Sequence, residues 1–148
     1  MEWAALIAWV ATAGGGFVLL ATWLSRGGMR QSREAGSRIR PPLILGHFLL
    51  AATGLVLWII YVANDSDTLA WVAFVILAIV AALGWTMFAI WYQRRQRGRT
   101  AATGVTGAPG SSETPPEQHF PVRIVALHGV LAVTTVVLVF LTALGVGE

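Results

Sequence analysis

Two histidines stand inside stretches of chain that hold no charged side chain. His128 is the fifth residue of the run 124–144, and His47 is the fifth residue of the run 43–63. An ionisable ring within so apolar a stretch is a functional feature by default, and its partner has to be found. Imidazole in such a place offers three kinds of chemistry: a hydrogen bond between packed helices, a metal bond through a neutral ring nitrogen, or the carriage of a proton. The chain has no cysteine, which excludes disulfides, iron–sulfur clusters and thiolate metal sites. Any metal therefore takes nitrogen or oxygen ligands. No carboxylate lies within the apolar runs, and Met87 is the other soft donor near the same depth, so the donor set of a transition-metal channel is missing.

The elements that must position these rings are four uncharged runs, 3–24, 43–63, 69–92 and 124–144, each of 21 to 24 residues. At about 1.5 Å per helical residue each is roughly 30 Å long, the thickness of a bilayer's hydrocarbon core. Of 148 residues 56% are hydrophobic and 11% charged, with mean hydropathy +0.70, too little polar surface for an ordinary soluble domain. The net charge of +3 comes from arginine alone among basic residues. Because these arginines flank the runs, they read as topology signals and not as a nucleic-acid surface.

Arg26, Arg30, Arg33, Arg38 and Arg40 crowd the first connection, and Arg94, Arg95, Arg97 and Arg99 open the third. Both connections are expected in the cytoplasm. The second connection, Asn64-Asp65-Ser66-Asp67-Thr68, is short and acidic and is expected outside, with Asp67 or Thr68 capping the next helix. The first run is too long for the apolar part of a signal peptide and is expected as a retained span. Trp3, Trp9, Trp23, Trp58, Tyr61, Trp71, Trp91 and Tyr92 fall mostly near run ends, where amphipathic rings favour the headgroup boundary. Residues 94–119 form an expected flexible cytoplasmic linker, its later part rich in Ala, Thr, Gly, Ser and Pro. No internal repeat is convincing, and no phosphate-loop, zinc-protease, nucleophile-elbow or dinucleotide motif is present. The sequence thus predicts one all-α domain, an up-down four-helix transmembrane bundle with both termini outside.

In that topology the second and fourth runs enter from the same side, so both histidines lie roughly 6 Å inside the hydrocarbon edge. Neighbouring helices pack 8 to 10 Å apart, which makes the diagonal of a bundle about 13 Å, a span suited to two histidines clasping a haem iron from opposite faces. Ala51 and Gly54 follow His47, and Ala132 and Thr135 follow His128; small side chains there leave room for a porphyrin. Gly14, Gly15, Gly16, Gly84 and Gly129 allow helices to approach closely. Arg123, Arg40 and Arg38 lie at the boundary above, where guanidinium groups pair with propionates. His119 reads as a solvated interface residue. The competing expectation for His47 and His128 is packing glue, bonding to a carbonyl or to Thr53, Thr86, Thr134, Thr135 or Thr142.

The segments Gly46-His47-Phe48-Leu49-Leu50-Ala51 and Leu127-His128-Gly129-Val130-Leu131-Ala132, with His119-Phe120-Pro121-Val122, resemble a family of small four-span membrane proteins from high-GC bacteria that brings no established activity. More loosely, histidines on two helices of a four-span bundle are similar to small membrane b-type cytochromes, including the cytochrome b561-like group. That resemblance implies one haem b held by His47 and His128, where b561 proteins hold two haems with four histidines. The expected function is electron transfer with a membrane redox partner or quinone. The alternatives are a non-catalytic subunit or assembly factor of a membrane complex, and transport of a proton or small solute.

Overall fold

The computed structural model describes residues 1–29, 39–103 and 119–146. Those residues form four long helices: α1 (Glu2–Ser25), α2 (Pro41–Asn64), α3 (Asp67–Thr103) and α4 (Val122–Ala143). All four are long and apolar enough to cross a bilayer, so this is a multi-pass membrane protein with its apolar runs as helices. Helix is the physical requirement, since hydrocarbon offers nothing to an unpaired backbone group.

Local sequence sets the ends. Pro41 and Pro42 begin α2, where the missing N–H is not needed, and Arg40 before them is extended, as a residue preceding proline prefers. Between α2 and α3 the chain reverses through Asp65, at φ 55°, a left-handed conformation that a short polar side chain tolerates. Asp67 is the first residue of α3 instead of its cap. The helix then runs well past the apolar stretch to Thr103, so residues 94–103 are helical and not the start of a flexible linker. The remainder of the expected linker, 104–118, lies outside the described residues.

Packing places α1 against α2 and α4, and α3 against α2 and α4, leaving α1 opposite α3 and α2 opposite α4. Neighbours are antiparallel, so both described ends of the chain lie at one end of the bundle; Arg26, Arg40, Arg94 and Arg123 lie at the other. Each helix buries a stripe at alternating three- and four-residue spacing, Ala5, Trp9, Thr12, Gly16, Leu19 and Trp23 on α1 and Ala73, Leu77, Val80, Gly84, Met87 and Trp91 on α3. That spacing is the seam of nearly aligned helices. The opposite faces are apolar as well, with Ile7, Phe17, Leu49, Val75, Trp85 and Val130 each more than half exposed. Such a surface suits lipid and would be untenable in water.

The main core cluster lies in one half of the bundle. Trp9, Trp58, Tyr61, Ala73, Leu77 and Val139 pack together toward the end that holds the termini, with Trp9 and Trp58 rings 6.2 Å apart and Trp58 and Tyr61 4.7 Å apart. Trp58 donates its indole N–H to the Glu2 carbonyl at 3.3 Å. Trp9, Trp23, Trp58, Tyr61 and Trp91 are therefore interior residues, not a headgroup belt; among the expected belt aromatics Trp3, Trp71 and Tyr92 stay exposed. The interior was the better solvent for them because their flat rings fill the wide gaps between helices whose partners offer Gly54 or Ala.

Candidate functional site

At the histidine level the interior is lined differently. Gly16 on α1, Gly84 on α3, Ala51 on α2 and Ala132 on α4 surround the two imidazoles. All of these residues, and both histidines, are only half-buried, whereas the inward positions nearer the termini are buried. The glycines are where the imidazoles themselves come closest to the neighbouring helices. Beyond it, Trp23 and Trp91 close the interior toward the arginine-bearing end.

His47 and His128 come to this layer from diagonally opposed helices, and their ring centroids are 6.4 Å apart with planes at 64°. Each ring lays one edge on a neighbouring helix. His47 Nδ1 lies 3.1 Å from the Val80 carbonyl oxygen of α3, and His128 Nδ1 lies 2.9 Å from the Thr12 carbonyl oxygen of α1. A carbonyl only accepts, so Nδ1 carries a proton in both rings, and in the neutral ring Nε2 is the atom with the lone pair. Neither Nε2 has a hydrogen-bond partner among the described residues. The result is two imidazoles from opposite walls, each oriented by a backbone carbonyl as metal-ligating histidines usually are.

Glycine makes this seating feasible. A Cβ placed on Gly16 would lie 3.0 Å from His128 Cε1, and one on Gly84 would lie 3.2 Å from His47 Cε1. In both cases the glycine stands four residues after the carbonyl that accepts from the imidazole, so one helical turn supplies the acceptor and the room. The sequence showed these glycines as packing residues; what it did not show is that each faces a histidine. Gly14, Gly46 and Gly129 face open space.

The two seats are copies of one another. An offset of 68 carries Thr12, Gly16 and Trp23 of α1 onto Val80, Gly84 and Trp91 of α3, and an offset of 81 carries His47, Gly54, Trp58 and Tyr61 of α2 onto His128, Thr135, Val139 and Thr142 of α4. Buried positions map onto buried positions throughout these pairs apart from half-buried Thr12, Gly16, Gly84 and the histidines. Identities follow at Trp3 and Trp71, Ala5 and Ala73, Gly16 and Gly84, Trp23 and Trp91, Ala51 and Ala132, and Thr53 and Thr134. At these positions the second hairpin repeats the first, contrary to the expectation of no repeat, and each hairpin contributes one histidine.

Of the expected site residues, the fold brings together His47 and His128. Arg40 and Arg123 stand at the arginine-bearing end with exposed side chains that make no hydrogen bond or ion pair with a described residue. Arg38 lies outside the described residues. His119 is exposed at the same end. Thr53, Thr86, Thr134 and Thr142 bond the carbonyl four residues back in their own helix and none reaches a histidine. Thr135 does likewise and meets the Thr12 hydroxyl at 3.0 Å. No cluster of three or more His, Cys, Asp or Glu occurs among the described residues, so the chemistry of this layer is that of two imidazoles. Compared with protein-family models, curated proteins and solved structures, the chain matches none.

Proposed function

We propose that the protein holds one b-type haem between His47 and His128 and exchanges electrons with a membrane redox partner or quinone, in a bacterial cytoplasmic membrane with the arginine-bearing end inside. The observation that carries this reading is the separation of the rings. Two imidazoles sharing one metal in line, with bonds of about 2 Å and ring nitrogens roughly 1.2 Å from each centroid, have centroids roughly 6 to 6.5 Å apart; here they are 6.4 Å apart. Supporting it, both Nδ1 atoms are committed to carbonyls, which leaves Nε2 as the ligand atom on both sides.

A flat ligand held by the two imidazoles would lie against the glycine and alanine positions of this layer. When bound, a haem held by His47 and His128 would supply a one-electron couple. The chain's own contribution is to orient the imidazoles, exclude water beneath the Trp9 and Trp58 layer, and keep the surroundings uncharged. Uncharged, apolar surroundings are among the levers that set such a potential.

The test is spectroscopic. Detergent-purified protein expressed with haem available is expected to show a Soret band and, on reduction, a sharp α-band. Both bands are lost in His47→Ala and in His128→Ala, to the same extent, since the two seats are equivalent. A folded wild-type preparation that stays colourless after haem loading rules this function out.

A further inference from the structure

Every helix carries an arginine where its uncharged run ends at one end of the bundle. Arg26 is the C-cap of α1, Arg40 the N-cap of α2 and Arg123 the second residue of α4, while Arg94 follows the uncharged run of α3. Each stands within about one helical turn, roughly 5 Å, of that run, and the headgroup layer outside the hydrocarbon is about 5 to 8 Å deep. These four residues therefore share the level of the lipid phosphates. Arg26, Arg40 and Arg123 have exposed side chains with no hydrogen bond or ion pair to a described residue, and Arg95 lies over the Trp91 ring at 5.7 Å. The described carboxylates, Glu2, Asp65 and Asp67, are all at the opposite end. The stretches on the arginine-bearing side, 25–41 and 93–123, hold all ten arginines and three glutamates, so most of this positive charge has no counterpart within the chain.

We propose that this end of the bundle is a collar for anionic phospholipid headgroups, which Arg26, Arg40, Arg94 and Arg123 hold around all four helices. A guanidinium pairs with a phosphate through two parallel N–H donors. A headgroup of net negative charge, such as phosphatidylglycerol, gains from that pairing over phosphatidylcholine, whose quaternary ammonium already balances its phosphate. The level of the arginines favours lipid over an acidic soluble protein, because a partner arriving from water has to cross the headgroup layer to meet them. The collar stands independently of the haem reading.

Full-length protein is reconstituted in phosphatidylcholine vesicles holding a trace of spin-labelled phosphatidylglycerol or spin-labelled phosphatidylcholine, and electron spin resonance gives the fraction of each that the protein immobilises. Wild type is expected to hold the anionic lipid several-fold more tightly. Combining Arg26→Gln, Arg40→Gln and Arg123→Gln is expected to lower that preference about fivefold or more, since one basic residue near a membrane surface contributes about that factor; Trp85→Phe, a lipid-facing control, leaves it unchanged. Equal immobilisation of the two lipids by wild type overturns the collar and leaves an acidic soluble partner as the occupant, and a triple variant that keeps the full preference overturns it as well. A preference that disappears when chloride is replaced by inorganic phosphate at constant ionic strength overturns it too, because the arginines would then take free phosphate. If the triple variant does not fold, wild type in about 1 M sodium chloride decides: with the screening length cut to about 3 Å the preference is expected to fall, and one that does not move has a source other than these charges.

Discussion

At the scale of single residues the site depends on contacts of a few tenths of an ångström. Gly16 and Gly84 are the positions where one added carbon matters, because a Cβ there would lie only 3.0 and 3.2 Å from an imidazole carbon. Gly16→Ala or Gly84→Ala must push its histidine away from the carbonyl that orients it. A comparable loss of an orienting contact lowers metal affinity about tenfold or more. Haem titration is expected to show that loss for both variants and to find Gly14→Ala, whose new methyl meets open space, indistinguishable from wild type. Equal behaviour of Gly14→Ala and Gly16→Ala would mean that the histidine seats have no bearing on binding.

At the scale of the helices, the four do not pack evenly along their length. Toward the termini, large rings interlock: Gly54 admits Trp9, whose ring would lie 3.0 Å from a Cβ there, and Trp58 lies between Trp9 and Tyr61. Toward the arginines, glycine and alanine hold the helices around the imidazoles. Trp58→Ala leaves a cavity in the rigid half and is expected to lower the unfolding free energy by about 3 to 5 kcal/mol, read by denaturing-detergent titration. Trp3→Ala, at a lipid-facing position that is 62% exposed, removes no packed ring and is expected to change stability by less than about 1 kcal/mol. If the two variants lose stability equally, the aromatic layer is not what holds the bundle.

For the molecule as a whole, the second hairpin repeats the first at the histidine layer, so each half contributes one ring, one glycine seat and one carbonyl. The same repeat makes α1 parallel to α3 and puts Arg26, Arg40, Arg94 and Arg123 at one end, which the rule that arginine-rich connections stay inside predicts to face the cytoplasm. Because the chain lacks cysteine, single cysteines report that orientation without background. In intact cells, Ser66→Cys in the α2–α3 turn is expected to react with a membrane-impermeant maleimide, and Ser25→Cys at the end of α1 only after permeabilisation. Labelling of Ser25→Cys alone would invert the protein and put the histidine layer near the outer face.

The sequence by itself determined the four helices, their spans and the matching depth of His47 and His128, because length and hydropathy along one dimension decide what crosses a bilayer. It also marked Gly16 and Gly84 as close-approach residues without saying what approaches them. Only the tertiary structure decided which way each stripe faces. In lipid nearly every outward position is apolar too, so hydropathy carries little record of the buried face. For that reason the buried tryptophans resembled a boundary belt, and the repeat stayed hidden: its identities are thinly spread along stripes that appear only once the helices are packed. The 6.4 Å between the rings was likewise outside the reach of sequence, since depth alone does not tell a side chain that faces lipid from one that faces its counterpart across the bundle.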